Sequence, residues 1–253
     1  MSDLVETSAK DGILTIRMNR PDKKNALTMA MYEDMAKAIK DADKNPDIRV
    51  VMITGSGDSF CAGNDLQDFI SNPPKNEKSS PVLAFLEAIS EAKVPLVAAV
   101  NGTAVGIGVT MLLHCDFVYV AKDAPMSLPF VNLGLVPEAG ASLLLPRLAG
   151  HAKAAELLML GEPFTAQTAL EIGIANKLCE TADVEATALK TAKKLASKPR
   201  EALVETKSLL KREFESVAKR IDEEAKVFKK CLESADCKEA LTAFKEKRKP
   251  KFN

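Results

Sequence analysis

Strands and helices alternate along the first half of the chain. Four runs predict strands, 13–19 by alternation of apolar and polar positions and 49–54, 95–101 and 116–121 by mainly apolar character. Thr28 is placed to cap a helix in which Met31, Met35 and Ile39 recur at helical spacing. A second helix is predicted over 82–92, between two of the strands. This order is typical of an α/β fold with a parallel sheet.

Two glycine-containing turns each follow a predicted buried strand and precede a predicted helix. The first is Cys61–Leu66, and the second spans 102–108 and leads into a short apolar helix over 109–114. Such turns expose backbone N–H groups near helix starts, and two that converge would stabilise negative charge on a carbonyl oxygen. Spacing alone equally fits glycines that only permit tight turns.

The pattern becomes almost wholly helical after about residue 140. Helices are predicted over 141–149, 151–160, 166–172, 184–198, 200–212, 214–234 and 236–247. No long linker separates this part from the rest. We therefore expect one structural unit, with a core and active site in 1–195 and a helical region in 196–253 that contributes to oligomerisation.

Composition narrows the class of protein. The 253 residues carry 35 Lys and Arg against 35 Asp and Glu, a net charge of zero that argues against binding to nucleic acid or an anionic membrane. Five cysteines without a C-x-x-C pair and two histidines give little basis for a disulfide framework or metal cage. His114, within an apolar helix, is expected to be a core histidine that has a hydrogen-bond partner.

Nothing in the sequence predicts export or a membrane span. The start of the chain lacks a basic segment followed by an apolar one, and no C-terminal Ser-Lys-Leu signal is present, so we expect a cytoplasmic location. The stretch 94–115 is uncharged and long enough to cross a bilayer. Its proline and glycines instead predict a buried strand, a turn and a helix start.

Four separated motifs carry a family resemblance. They are Asn19-Arg20-Pro21 with Asn25-Ala26-Leu27, Phe60-Cys61-Ala62-Gly63-Asn64-Asp65-Leu66, Pro95-Leu96-Val97-Ala98-Ala99-Val100-Asn101-Gly102, and Leu133-Gly134-Leu135-Val136-Pro137-Glu138-Ala139-Gly140. In this order they closely resemble the crotonase (enoyl-CoA hydratase/isomerase) superfamily, from about residue 10 to the C-terminus. The resemblance implies a spiral of ββα units, a helical region that trimerises, and acyl-CoA thioester substrates.

The same resemblance assigns binding residues. The N–H groups of Asn64 and Ile107 would form the oxyanion hole for the thioester oxygen. Further positions match the substrate and CoA site of the family: Lys24, Ala26, Ala62, Asp65, Leu66, Gly106, Phe130, Phe244 and Lys247. The helical region would support a homotrimer or a dimer of trimers, with apolar positions at Val217, Ile221, Ala225 and Phe228.

The catalytic positions depart from those of a hydratase. Where enoyl-CoA hydratases carry two glutamates, this chain has Thr110 and Phe130, which cannot share the acid–base work of adding water. Glu138 resembles the catalytic base of the peroxisomal type of Δ3,Δ2-enoyl-CoA isomerase. The expected reaction is therefore a double-bond shift by one base, with no metal or redox cofactor. A weak hydratase and a non-catalytic acyl-CoA-binding protein remain the alternatives.

Overall fold

The computed structural model describes residues 3–71, 80–211, 234–246, 248 and 250–251. The strands are β1 Val5–Lys10, β2 Ile13–Met18, β3 Val50–Gly55, β4 Ser59–Cys61, β5 Leu96–Val100, β6 Thr103–Val105, β7 Phe117–Ala121, β8 Met126–Ser127 and β9 Lys177–Cys179. The helices are α1 Met29–Lys44, α2 Leu66–Ser71, α3 Pro81–Glu91, α4 Ile107–Thr110, α5 Ala141–Ala149, α6 His151–Ala155, α7 Ala166–Glu171, α8 Val184–Ala196, α9 Arg200–Leu210 and α10 Ala235–Lys245.

The strands form two sheets. The larger has the order β1-β2-β3-β5-β7-β9, in which β1 and β2 are antiparallel and the remaining pairs are parallel. In its register Ile16 lies opposite Ile53, and Ile53 lies opposite Ala98. The smaller sheet has the order β4-β6-β8 and is parallel throughout.

Successive ββα units explain the two sheets. In each of three consecutive units the first strand joins the larger sheet (β3, β5, β7) and the second joins the smaller one (β4, β6, β8). All six residues of β3 and all five of β5 are buried, as expected for a parallel sheet covered on both faces. The repeat of ββα units implied by the resemblance is therefore present.

Local sequence accounts for the first long helix. The side chain of Thr28 accepts a hydrogen bond from the Met31 N–H, which satisfies one of the free donors at the start of α1. Met31, Met35 and Ile39 are fully buried on one face of α1, as the helical spacing predicts.

The structure corrects several element predictions. Five strands were not predicted: β1, β4, β6, β8 and β9. Strand β6 lies inside the second predicted glycine turn, β4 ends at the first residue of the first one, and β9 lies in the region predicted as helical. The helix predicted over 109–114 begins at Ile107 and continues as a 3₁₀ turn over Met111–His114, and the one predicted over 151–160 becomes a π-helix at Glu156–Leu160. The helix predicted over 214–234 lies outside the described residues.

The uncharged stretch 94–115 forms β5, β6, α4 and the following 3₁₀ turn. Within the ranges that the structure describes, no helix combines the length and apolar character needed to cross a membrane.

A buried lysine attaches α9 to the sheet. The side chain of Lys207 is only 5% exposed, and its Nζ lies 2.7 Å from Asp116 Oδ2. The same ammonium donates to the carbonyl of Val94 at 2.8 Å, and Asp116 Oδ2 also accepts the Leu96 N–H. This cluster joins α9 to the starts of β5 and β7.

We expect Lys207→Met to lower the free energy of unfolding by about 1–3 kcal/mol, because the Val94 carbonyl and the Asp116 carboxylate each lose a charged donor. Denaturant unfolding measures the change. Lys190→Met, at an exposed position of α8, is the control and should stay within about 0.5 kcal/mol. Equal effects of the two variants would show that Lys207 does not anchor α9.

Candidate active site

Two turns meet at one edge of the smaller sheet. Strands β4 and β6 are parallel neighbours, with Ser59 opposite Thr103 and Cys61 opposite Ala104. The residues that follow the two strands therefore lie side by side. Together with the segment after β8 they enclose a pocket of about 210 Å³, lined by Ala62, Gly63, Asn64, Val105, Gly106, Ile107, Pro129, Phe130, Leu133 and Leu135.

Each turn offers one backbone donor. The N–H of Leu27 donates to the carbonyl of Gly63, and the carbonyl of Leu27 accepts the N–H of Asp65, both at 2.8 Å. This pairing does not use the N–H of Asn64, which lies between those two residues in the sequence. Ile107 is the first residue of α4, where N–H groups have no partner inside the helix. Within the described part of the chain, no backbone acceptor takes the N–H of Asn64 or Ile107. Both residues line the pocket.

Close backbone packing keeps the two turns together. A Cβ on Gly108 would lie 2.4 Å from the carbonyl oxygen of Cys61, so only glycine lets α4 approach the end of β4 this closely. Gly106 has φ +55° at the turn into α4. These glycines therefore have a steric reason that is independent of catalysis, as the tight-turn interpretation of the sequence expects.

Glu138 is held beside α4. The hydroxyl of Thr110 donates to Glu138 Oε1, while Glu138 Oε2 is buried and has no hydrogen-bond partner among the described residues. Burial raises the pKa of the Glu138 carboxyl above its ordinary value of 4.5, and the hydrogen bond from Thr110 opposes this rise. Glu138 is not among the residues that line the pocket, and it connects to the pocket through Thr110 and α4.

The backbone around Glu138 has a second attachment to the same segment. Nε2 of His114 lies 2.7 Å from the carbonyl oxygen of Ala139 and donates to it. Ala139 has φ +52°, an unfavourable conformation for a residue with a side chain. Burial lowers the pKa of His114, which favours the neutral ring. His114 thus has the hydrogen-bond partner that the sequence predicted, but it is half-buried at the edge of the core and not within it.

Sequence reasoning missed Tyr32. This α1 residue is 1% exposed, and its hydroxyl donates to Asn64 Oδ1. Burial raises the pKa of Tyr32 well above its ordinary value, and electrostatic interactions with Cys61 and Glu138 act in the same direction. The available signal was a tyrosine beside the apolar face of a helix, because a buried phenol requires a polar partner.

The residues predicted to lie at the CoA entrance form a strap over the first turn. The carbonyl of Lys24 accepts the Ala62 N–H at 2.9 Å, and the carbonyl of Ala26 accepts from Arg20 at 3.1 Å. The Lys24 side chain is exposed. The side chains of Leu66 and Phe244, and all of Lys247, lie outside the described residues.

Asp65 has a structural role. Its Oδ1 accepts the N–H groups of Gln67 and Asp68 at the start of α2, and its Oδ2 pairs with Arg20 at 2.6 Å. The backbone N–H of Asp68 and the guanidinium of Arg20 lower the pKa of Asp65. This carboxylate therefore caps a helix and holds the strap, and it is poorly suited to act as a base.

Comparison with known proteins gives relatives of mixed name. The chain matches the enoyl-CoA hydratase/isomerase family over residues 8–253. It is 32% identical to 1,2-epoxyphenylacetyl-CoA isomerase of Escherichia coli (strain K12), covering 100% of this chain and 99% of that protein. It is 36% identical to enoyl-CoA delta isomerase 2 of Rattus norvegicus, covering 97% of this chain but only 64% of that protein.

Solved structures agree with the fold. A protein of Magnetospirillum magneticum AMB-1, provisionally named enoyl-CoA hydratase/carnithine racemase, has a TM-score of 0.96 at 47% identity, with both chains covered completely. An enoyl-CoA hydratase from Polaromonas sp. JS666 has a TM-score of 0.91 at 31% identity, covering 98% of this chain and 99% of that one. The fold is the crotonase fold, and the chain is an enzyme that belongs to the enoyl-CoA hydratase/isomerase family.

Proposed function

We propose that the protein is a Δ3,Δ2-enoyl-CoA isomerase that moves the double bond of an unsaturated fatty acyl-CoA from C3 to C2. The observation that carries the proposal is one buried carboxylate, Glu138, whose partner is the hydroxyl of Thr110. None of the residues that line the pocket is acidic. A double-bond shift needs one group that removes and returns a proton, and this arrangement supplies one.

The proposed reaction has two proton transfers. Glu138 removes a proton from C2, and the C2–H electrons form a C1–C2 double bond while the carbonyl electrons move to the thioester oxygen. The product is a dienolate with double bonds at C1–C2 and C3–C4 and the negative charge on that oxygen. The N–H groups of Asn64 and Ile107 stabilise that charge. The oxygen then re-forms the thioester carbonyl, the C1–C2 electrons become the C2–C3 double bond, and the C3–C4 electrons take the same proton from Glu138 at C4. The reaction is redox neutral and the charge is stabilised by backbone donors, so the proposal includes no metal or redox cofactor.

The surroundings of Glu138 suit a base. A carboxylate with a raised pKa accepts a carbon-bound proton more readily than an ordinary one. Phe130 is 7% exposed at the pocket and excludes water from it. Addition of water, by contrast, requires a second carboxylate to orient the water molecule. Thr110 does not take that role, because its hydroxyl proton is donated to Glu138.

A non-catalytic acyl-CoA-binding protein is the second candidate. It would use the same N–H groups but would gain nothing from Glu138, because burial of an unpartnered carboxylate oxygen costs stability. Both functions require acyl-CoA binding. We assign the CoA entrance to Lys24, Ala26, Ala62, Asp65 and Leu66, and the far end of CoA to Phe244 and Lys247.

We also propose that the chain forms a homotrimer or a dimer of trimers. Large apolar side chains between residues 131 and 160 are exposed, with Val136 at 81%. The others are Val131, Leu133, Leu135, Leu143, Leu148, Met159 and Leu160. A contiguous sequence segment with this character is typical of a surface that another subunit covers. The residues used for the sequence argument, Val217, Ile221, Ala225 and Phe228, lie outside the described residues.

Glu138→Gln tests the base. The substitution keeps size but removes the proton acceptor, so kcat for isomerisation of 3-enoyl-CoA should fall by about 10²–10⁴-fold. Acyl-CoA affinity should hardly change, because the thioester oxygen binds elsewhere. Full activity of Glu138→Gln would disprove the mechanism. Wild-type protein that binds acyl-CoA but neither isomerises 3-enoyl-CoA nor hydrates 2-enoyl-CoA would identify the binding protein.

A pH effect follows from the buried carboxyl. Because burial raises the pKa of Glu138, kcat/KM for isomerisation should decline on acidification at a pH above 4.5, the ordinary value for glutamate. The stability effect has the opposite sign. The protonated form is favoured in the folded state, so its contribution to stability is lost as pH rises through the raised pKa. Glu138→Gln should therefore gain stability relative to wild type as pH rises from 4.5 through the raised pKa of Glu138, as thermal melts can measure.

The oligomer can be tested by light scattering. The proposal requires three or six times the 27.3 kDa mass of the chain at micromolar concentration. Met159→Lys should shift the distribution toward smaller species, because a charge in a covered apolar surface lacks a partner. Lys190→Glu, at an exposed position of α8 outside the 131–160 segment, is the control. Monomers alone in the wild-type protein would refute the assembly.

A further inference from the structure

The two oxygens of Glu138 have different surroundings. Oε1 accepts a hydrogen bond from Thr110, whereas Oε2 is buried and unpartnered among the described residues. A carboxylate oxygen that already accepts a hydrogen bond is a weaker base than one that does not, since the donor stabilises its negative charge. The two oxygens are therefore unequal in basicity before substrate arrives.

Thr110 is well placed to maintain this difference. Its side chain is fully buried, so water does not compete for the hydroxyl. A β-branched side chain has few rotamers within a helix, and this restricts the direction in which the hydroxyl points. Thr110 also lies three residues after Ile107, one turn along α4 from the proposed oxyanion donor.

We propose that Thr110 is a positioning residue that holds Oε1 of Glu138 and so leaves Oε2 as the oxygen that takes the proton from C2 and returns it at C4. This inference rests on the proposed isomerase function and extends it to a residue to which the sequence assigned no proton transfer. Thr110 itself exchanges no proton with the substrate. Its effect is on the orientation and ionisation of Glu138.

Loss of the donor has two consequences. Without the Thr110 hydroxyl, Oε1 of Glu138 would lose the hydrogen bond that stabilises its negative charge, and the carboxyl would hold its proton to higher pH. The carboxyl would also be free to rotate, so that fewer molecules present Oε2 correctly. A merely structural threonine would change neither quantity.

The test compares Thr110→Val, which keeps the shape and removes the donor, with Thr110→Ser, which keeps the donor. Thr110→Val should lower kcat for 3-enoyl-CoA isomerisation by about 10–100-fold, because the loss of carboxyl orientation outweighs its greater basicity. KM should change little, and the acidic limb of the kcat/KM profile should move to higher pH. Thr110→Ser should stay within a few-fold of wild type with its acidic limb unmoved. Thr110→Ala replaces the valine variant if that variant does not fold.

A second measurement needs no turnover. Titration of ¹³C-labelled glutamate carboxyls by NMR follows Glu138 in the free protein, with Glu138→Gln assigning its signal. The Glu138 pKa should be higher in Thr110→Val than in wild type and unchanged in Thr110→Ser. Unchanged titration and pH profile in Thr110→Val overturn the inference, even if that variant is less thermostable. If the titration shifts but wild type does not isomerise 3-enoyl-CoA, the isomerase proposal fails, the assignment of Oε2 to the C2–C4 transfer fails with it, and only the orientation by Thr110 stands.

Discussion

The hydrogen bond from Thr110 to Glu138 joins the two parts of the candidate site. Ile107, Thr110 and His114 belong to one continuous segment of eight residues. Ile107 lines the pocket, and the hydroxyl of Thr110 donates to the carboxylate of Glu138. The ring of His114 donates to the carbonyl of Ala139, the residue after Glu138. The spacing between the proposed oxyanion donor and the proposed base is thus set by helical geometry. Gly108 makes this possible, because it lets the same segment pack against the end of β4.

Two carboxylates near this edge show how environment determines role. Asp65 accepts two backbone N–H groups and pairs with Arg20, so its pKa is lowered and its charge is stabilised. Glu138 accepts one neutral donor, its other oxygen has no partner among the described residues, and burial raises its pKa against the opposing effect of the Thr110 hydrogen bond. The arrangement around Asp65 favours stability and makes its carboxylate a weak base. The second sacrifices stability for a carboxylate that accepts protons, which is the usual relation between a functional group and the fold that contains it.

The sequence predicted what depends on local pattern. Thr28 and the apolar face of α1 are read from neighbouring residues, and the helix over 141–149 was predicted with the bounds it has in the structure. Strands β4, β6 and β8 were not, because two or three residues carry no period and are defined by pairing with distant strands. The site shows the same limit. Resemblance brought Asn64, Ile107 and Glu138 forward, but the contacts from Tyr32 and His114 join residues 32 and 25 positions apart, and no local pattern encodes them.

Thr110 stands at a position where the resemblance to hydratases implies a glutamate, and this difference affects the electrostatics of the whole site. Two buried carboxylates this close would repel each other, and one would be protonated at neutral pH. With the Thr110 hydroxyl in that place, Glu138 has no second carboxylate beside it that would repel its charge. It accepts a hydrogen bond from the hydroxyl instead. The hydroxyl cannot direct its proton to water while it binds Glu138, and Phe130 adds no polar group. With Thr110 and Phe130 at these two positions there is no second carboxylate to orient water, and the single carboxylate is the reason for which we propose a one-base proton shift.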